Sequence, residues 1–369
     1  MGMVHGFRVY TVEAFENRKA GNTALPAGPG SGLRERLSEI IDGLSADGTV
    51  FRHPRPAADP LEPPRPVTTL SVGMPSLIRD DFVHVIVERG ETGSHRRATS
   101  QVLPAQDISE MSPEAPHKVA LLFPSAEESR FLIIAETIRS RDPIERFLAA
   151  ISERDLRTKK LATEANNAAR RAAREARLPL PDAITYNRLL FKAEQTPDDA
   201  YLDEILAGAK SATASFQSVD VTARGRRKPV LRELTISLRD SVGQRIGRDM
   251  GRQWFGQQRR GEASVDHGVS DLAVVLEEQD LIEPGEAARY DQAAVRVTSE
   301  SGQTTKIATD SLRDAFTYPV SIGTPPPAYF YEKVAPRVRA VALQWALPMA
   351  RIMREEIEEW EQIDSANNH

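Results

Sequence analysis

Three arginines recur at helical spacing in residues 241–255, and this array is the strongest chemical signal in the chain. At about 100° per residue, Arg245, Arg248 and Arg252 fall together on one side of a helix. The opposite side carries an apolar stripe of Val242, Ile246, Met250 and Trp254. Guanidinium groups held in register are planar donors that match phosphate oxygens. The pattern therefore predicts a phosphate-binding helix with an anchored apolar face.

More basic residues flank this helix. Between Arg224 and Arg260 there are eleven basic and three acidic residues, a net charge of +8. The residues that we assign to a DNA-binding surface here are Arg224, Arg226, Arg227, Lys228, Arg232, Arg245, Arg248, Arg252, Arg259 and Arg260. Glycines also recur at positions 243, 247 and 251, although each costs a helix up to about 1 kcal/mol relative to alanine. This spacing indicates that another helix or a phosphate chain closely approaches the backbone.

A second basic segment, residues 154–177, has eight basic and three acidic residues and is rich in alanine. We predict a helix on which Arg170, Arg174 and Arg177 share a face that Arg171 borders. A helix with so little to bury is either an exposed linker or a surface for a charged partner. The whole chain carries a net charge of −5, so the two basic segments predict a local positive surface on an acidic protein.

Residue types and spacing exclude several other chemistries. The chain has no cysteine, which rules out disulfides, thiolate zinc sites and cysteine nucleophiles and favours a reducing, cytoplasmic location. The seven histidines form no pair at metal-ligand spacing, and no phosphate loop or nucleophilic serine motif is present. We therefore expect a non-enzymatic protein without catalytic residues, metal, cofactor or small-molecule substrate.

Two alternatives to a DNA-binding protein stay open. Asp80 and Asp81 could begin the metal site of a nuclease or another nucleic-acid enzyme, although no Glu-x-Lys follows on the next strand. The arginines could also form a solvated face, or bind an acidic protein in a regulator that does not contact DNA. No apolar run reaches the roughly 20 residues that span a bilayer, and residues 1–7 have no apolar signal core, so we expect neither a span nor an export signal.

The elements that must position these residues predict an α+β fold. Alternating apolar residues predict strands at 5–14, 48–53, 66–73, 82–88, 117–123, 130–137, 184–193, 213–222, 229–238, 293–299 and 304–309. Helical spacing predicts helices at 32–44, 141–152, 153–177, 197–209, 241–255 and 334–360, with Asp142 capping the second and Pro348 kinking the last. We expect two lobes with mixed sheets, flanking helices and a long C-terminal helix. The first lobe would hold residues 1–150 completed by 286–369, and the second residues 151–285 with the basic surface.

Three stretches of this pattern resemble the RexA family, exclusion proteins of lambda-like prophages. The first is HKVALLFPSAEESRFLIIAETIRSRDPIERFLAAI, similar to a strand, turn, strand and helix of that family. The second is LRELTISLRDSVGQRIGRDM, similar to its strand leading into a basic helix. The third is AAVRVTSESGQTTKIATDSL, similar to its closing hairpin ahead of a terminal helix.

The resemblance implies a homodimer that binds double-stranded DNA without sequence preference. It implies a role in prophage-encoded phage exclusion, a form of abortive infection and antiviral defence, with a membrane partner of the RexB kind. It carries over no catalytic residue. The predicted terminal helix agrees with a dimer in one respect, since its apolar residues occupy more than one stripe. One stripe could pack on the first lobe, and the other in a subunit interface or in the core of the same chain.

Overall fold

The chain forms two compact units, which are described separately. The computed structural model describes residues 4–18, 21–48, 50–52, 67–91, 97–98, 106–107, 114–139, 141–183, 187–196, 198, 200–201, 204, 209–221, 227–238, 245–246, 249–250, 253–254, 265–299, 304–308 and 316–367. The first unit is Met1–Gln195 together with Tyr318–His369, and the second is Thr196–Thr317. Both units contain helices and strands, so the α+β class is confirmed.

The first unit is built on a ten-stranded sheet. Its strands are β1 (Val4–Arg18), β2 (Gly21–Ala24), β3 (Val50–Arg52), β4 (Thr68–Val72), β5 (Ser76–Arg79), β6 (Phe82–Glu91), β9 (Glu114–Leu122), β10 (Arg130–Ile138), β11 (Arg188–Gln195) and β16 (Tyr318–Ile322). A separate pair is formed by β7 (Arg97–Ala98) and β8 (Gln106–Asp107). The main order is β11-β1-β10-β9-β6-β4-β3, with β2 and β16 paired to β1 and β5 to β6. Where we expected mixed sheets, every pairing among the described strands is antiparallel.

Two helices cover one face of this sheet. They are α1 (Leu33–Asp47) and α2 (Ile144–Glu175), and their apolar stripes bury Leu37, Ile41, Phe147 and Ile151. Asp142 accepts a hydrogen bond from the backbone N–H of Ile144 at 3.1 Å, which confirms it as the cap of α2. The predicted helices 141–152 and 153–177 are therefore one continuous helix.

Two further helices follow β16 at the end of the chain. They are α4 (Pro327–Gln344) and α5 (Arg354–Asn367). Aromatic contacts join α4 to the opposite sheet face, where the ring centroids of Phe330 and Phe7 are 6.0 Å apart and those of Tyr331 and Phe82 are 5.3 Å apart. Because both sheet faces are covered, the side chains of β10 are buried from Phe131 to its end.

The single terminal helix that we predicted over residues 334–360 is wrong. Ala346 has a left-handed backbone with φ of 51°, and residues 347–353 are neither helical nor in a strand. Pro348 has no N–H to continue a helix, and its carbonyl accepts hydrogen bonds from the N–H and the hydroxyl of Ser125 at 2.7 and 2.8 Å. The helix therefore ends near the position where we predicted a kink, and α5 runs back along α4.

A charged cluster lies inside the sheet on the side of α4. The Glu136 carboxylate is 0 % exposed and lies 2.7 Å from His5 Nδ1 and 3.3 Å from Lys118 Nζ. It also accepts a hydrogen bond from the backbone N–H of Lys118 at 2.9 Å. The ammonium group of Lys118 lies 5.6 Å from the centre of the Phe330 ring. A buried carboxylate is tolerated only when charge and hydrogen bonds compensate it, and this one has both.

The second unit contains a four-stranded sheet. Its strands are β12 (Ala209–Val221), β13 (Arg227–Leu238), β14 (Gln292–Ser299) and β15 (Thr304–Ala308), in the order β13-β12-β14-β15. The helix α3 (Val265–Glu277) packs against β14, and a short 3-10 helix spans Glu286–Arg289. The apolar face of the sheet carries the buried cross-strand set of Phe216, Ala214, Val295, Val297 and Ile307. Before β12, the carboxylate of Asp198 accepts a hydrogen bond from the backbone N–H of Tyr201 at 3.0 Å. This contact lies near the start of the predicted helix 197–209.

The observed unit boundaries differ from the predicted lobes in two places. The hairpin of β14 and β15, which we assigned to the first lobe, pairs with β12 in the second unit. Residues 151–195, which we assigned to the second lobe, belong to the first unit because α2 and β11 pack into its core. Within the described residues, no helix has both the length and the apolar character to cross a bilayer.

The buried charge cluster gives a stability prediction. Lys118→Met removes the ammonium group from the Glu136 carboxylate and should lower the free energy of unfolding by about 3–5 kcal/mol, because one charge stays buried without its partner. Urea unfolding measures the change. The matched control is Lys192→Met, which removes an exposed 3.0 Å pair with Glu194 and should cost less than about 1 kcal/mol. Equal losses in the two variants would contradict the role of the cluster.

A second prediction concerns the stability of the folded protein at acidic pH. Burial, with a smaller contribution from the charge of Lys118, lowers the pKa of His84 to about 3 from its ordinary 6.5. Between these values the unfolded chain binds a proton that the folded chain does not, so stability falls as the pH falls through this window. The variant His84→Gln can keep a hydrogen bond to the Tyr331 hydroxyl, which lies 2.7 Å from His84 Nδ1.

We expect His84→Gln to flatten the fall in stability between about pH 6 and pH 4, where one group contributes at most about 1.4 kcal/mol per pH unit. Urea unfolding at a series of pH values measures the slope. The flattening is partial, because burial also lowers the pKa of His117 and that group stays. An unchanged slope in the variant would show that His84 is not the group that titrates.

Candidate nucleic-acid interface

The distal half of α2 extends beyond the core that its first turns help to form. The helix has 32 residues, a length of about 48 Å. Its buried residues all lie between Ile144 and Asp155. From Leu161 to Glu175 every side chain is exposed or half-exposed. Alanine has the highest helix propensity, so this half can stay helical without a core to pack on.

Asp155 anchors α2 at the point where the helix leaves the core. Its buried carboxylate accepts hydrogen bonds from the Arg36 guanidinium on α1 at 3.0 to 3.2 Å and from the N–H of Leu189 on β11 at 3.1 Å. Arg36 also donates to Glu16 on β1 at 2.8 Å. A single carboxylate therefore joins α2 to α1 and β11, and through Arg36 to β1. This anchoring fixes the direction of the exposed half.

Three arginines at the end of the exposed half and just beyond it are available to a ligand. Arg171, Arg174 and Arg177 are exposed, and within the described part of the chain none of their guanidinium groups has a hydrogen bond or an ion pair. Arg170, the fourth predicted residue, is half-buried, and its guanidinium donates to the carbonyl of Pro181. The structure thus separates one arginine with an internal partner from three that face solvent.

Arg177 occupies a position that usually belongs to glycine. Its backbone is left-handed, with φ of 58°. Leu178 N–H donates to the Ala173 carbonyl at 2.8 Å and Arg177 N–H to the Arg174 carbonyl at 3.2 Å, the hydrogen bonds of a Schellman motif. An L-residue in this conformation costs about 1–2 kcal/mol. Despite this cost, the residue at the end of the exposed helix is a cation, Arg177.

The second predicted array lies in the other unit and is described in part. Residues 245–246, 249–250 and 253–254 are helical, and the side chains of Ile246, Met250 and Trp254 are each 0 % exposed. Arg245 is exposed, and its guanidinium donates to the side-chain carbonyl of Gln279. The predicted apolar stripe is therefore confirmed at these three positions, with Arg245 outside it.

The remaining predicted residues lie partly outside the described residues. The structure does not describe Arg224, Arg226, Arg248, Arg252, Arg259 and Arg260, nor the glycines at 243, 247 and 251. Arg227, Lys228 and Arg232 lie on β13, an edge strand, where Arg227 pairs with Val221 and Arg232 with Ser218. The described members of the two basic segments therefore belong to different units, not to a single second lobe.

Two basic residues of the second sheet were missed in the sequence. Arg296 on β14 and Lys306 on β15 are direct cross-strand partners and are half-exposed. They lie on the face opposite the apolar set, because side chains alternate along each strand. The alternation within AAVRV and TTKIA was a signal for this placement, but the register that brings the two cations side by side appears only in the folded sheet.

The carboxylate pair considered for a metal site has other partners. Asp81 accepts a hydrogen bond from Arg79 Nε at 2.5 Å, and Arg79 also donates to Glu356 at 2.8 Å. The backbone carbonyl of Asp80 accepts from the Arg34 guanidinium. In the part of the chain that the structure describes, no three His, Asp or Glu side chains are arranged to hold a metal ion.

Comparisons with known proteins add no functional assignment. The chain matches no family model, no curated protein and no solved structure. A function for this protein therefore has to be argued from the charge, exposure and partners of its own residues.

Proposed function

We propose that this protein binds double-stranded DNA through its phosphates, without sequence preference. One observation carries the proposal: Arg171 and Arg174 on the exposed half of α2, and Arg177 just beyond its end, have guanidinium groups without partners among the described residues. Surface arginines in an acidic protein readily find carboxylates, and Arg36, Arg79 and Arg154 each have one. Three successive arginines without a carboxylate partner among the described residues form a surface suited to an external anion.

The form of the exposed helix favours a nucleic acid over a compact anion. Arg171 and Arg174 lie on the solvent-exposed end of α2 and Arg177 follows its last residues, so the three cations form an extended series that matches a row of phosphates. Six of the fifteen residues from Leu161 to Glu175 are alanines, whose side chains cannot read base edges by hydrogen bonding. Contacts to the backbone position a protein on a duplex but carry no sequence information, which is why we propose nonspecific binding.

The second unit supplies a further cationic group that supports the proposal. Arg245 is exposed outside the buried stripe of its helix, and its hydrogen bond to the neutral side chain of Gln279 leaves its charge uncompensated. Two contact regions on one chain raise avidity through effective concentration, provided that both reach the same duplex. The role in prophage-encoded exclusion and a membrane partner of the RexB kind remain expectations from the family resemblance.

The first test is salt-dependent binding to a labelled duplex. The affinity should fall linearly on a log–log plot against salt, with a slope of about −0.9 per phosphate neutralised. Changing Arg171, Arg174 and Arg177 together to Gln should make the slope shallower by about 2–3 units, because three phosphate contacts are lost. Fluorescence anisotropy at four or five salt concentrations measures this, with a scrambled duplex of equal length expected to bind alike.

The matched control removes the same charge elsewhere, by changing Lys333, Arg351 and Arg354 to Gln. It should leave the slope nearly unchanged. Arg177→Gly adds an independent test, since relief of the left-handed backbone should raise thermal stability while DNA binding weakens. Equal effects of the two triple variants would show that net charge alone drives binding. Retained DNA affinity after loss of these three arginines would contradict their role as the phosphate-binding surface. Absence of DNA binding by the unaltered chain at low salt would contradict the proposal and favour an acidic protein as the partner.

We further propose that the protein is a homodimer, as the family resemblance implies. The apolar stripe of α4 does not require it, because Val334, Val338 and Val341 are buried within their own unit. Exposed apolar side chains remain nearby at Leu343, which is 73 % exposed, and Ile363, which is 55 % exposed. Light scattering at micromolar concentration should give twice the mass of one 40.8 kDa chain. A mass of one chain would refute the dimer.

A further inference from the structure

The segment between the two C-terminal helices encloses a cleft against α4. After Gln344 the chain reverses at Ala346 and residues 347–353 run beside the helix they have just left. The cleft between them has a volume of about 720 Å³. This lies within the range of small-molecule sites, which are about 300–1,000 Å³.

Tertiary hydrogen bonds hold the outer wall of the cleft in place. The Pro348 carbonyl is bound by the N–H and the hydroxyl of Ser125, and the Arg351 carbonyl accepts from Arg79 at 2.9 Å. On the helix side the wall includes Ala335 and Ala342, whose side chains are too short to fill the space. The opening therefore follows from fixed backbone positions and small side chains.

The lining combines an apolar floor with free cations. Val338, Ala342 and Leu347 are buried and form part of the floor. Arg339 and Arg351 also line the cleft and are exposed, and neither side chain has a hydrogen bond or an ion pair in the described structure. Arg354 differs from them, because its guanidinium is held by Glu332 at 3.0 Å and Glu358 at 2.6 Å.

We propose that this cleft binds a small amphipathic carboxylate, a molecule with a hydrocarbon body and one anionic end. The hydrocarbon body would cover the apolar floor, because removing that surface from water is favourable. The carboxylate would accept hydrogen bonds from Arg339 and Arg351, whose planar forks match it. A nucleic acid does not fit these features, since the floor offers no groups for a phosphate chain. This site is therefore distinct from the surface on α2.

The test uses three ten-carbon probes that differ only in their end group: decanoate, decan-1-ol and decylammonium. Each is titrated into the full chain below its micelle concentration or, for decan-1-ol, below its aqueous solubility, and binding is followed by calorimetry. We expect decanoate to bind at least about tenfold more tightly than decan-1-ol and decylammonium to bind weakest, since charge-assisted hydrogen bonds exceed neutral ones in strength. Equal affinity for decanoate and decan-1-ol, or no binding of decanoate, would overturn the proposal.

Two sets of variants locate the site. Changing Arg339 and Arg351 together to Gln should weaken decanoate binding by about tenfold or more while the weak binding of decan-1-ol stays. Ala342→Trp should abolish binding of both by filling the cleft, and Ala335→Leu repeats this test with a smaller change if the first variant does not fold. Arg174→Gln on α2 is the matched control and should bind decanoate normally.

These experiments distinguish a failure of the cleft proposal from a failure of the DNA-binding proposal. The Arg339 and Arg351 variant should keep the salt-dependent DNA binding, because the α2 arginines are intact. Unchanged decanoate affinity in that variant would show that the cations do not hold the ligand. Binding to anionic or neutral vesicles without binding to monomeric decanoate would place the cleft at a membrane surface and would equally refute a small-molecule site.

Discussion

The structure of the first unit depends on covering both faces of one large antiparallel sheet. Every side chain of β10 from Phe131 onward is buried, so helices must pack on each side. The first turns of α2 help α1 to cover one face, and α4 packs against the other. Both regions to which we assign a function arise from how these helices continue after their buried residues end.

The two continuations differ because their side chains differ. Beyond Asp155, α2 has alanine, arginine and asparagine where a core would need large apolar residues, so the helix remains regular but extends into solvent. Beyond Gln344, the chain meets Pro348 and cannot remain helical, so it turns back along α4. One helix therefore becomes a cationic rod, and the other becomes a wall of a cleft.

Buried charges hold these elements in place. Glu136 is held by His5 and Lys118 inside the sheet, and Asp155 is held by Arg36 at the root of the exposed helix. Neither carboxylate is open to solvent, and each makes several hydrogen bonds that would be costly to leave unmade. The described arginines whose side chains have no partner within the described structure are consequently the ones available to a ligand.

The sequence by itself determined most of the element types, because hydrophobic periodicity reports local burial. It placed the strands that became β9, β10, β12 and β13, the cap at Asp142, and the stripe of Ile246, Met250 and Trp254. It also identified the arginines of α2 from charge and alanine content. These features follow from interactions between residues that are close in the chain.

Only the tertiary structure decided which pieces belong together and which cations are free. The hairpin of β14 and β15 joins β12 because strand pairing depends on partners far away in the chain, which periodicity does not encode. Arg170 and Arg171 are neighbours in the sequence, yet one donates to Pro181 and the other faces solvent. The cleft depends on hydrogen bonds from Ser125 and Arg79 to a segment more than two hundred residues later. Such long-range contacts exist only once the chain has folded.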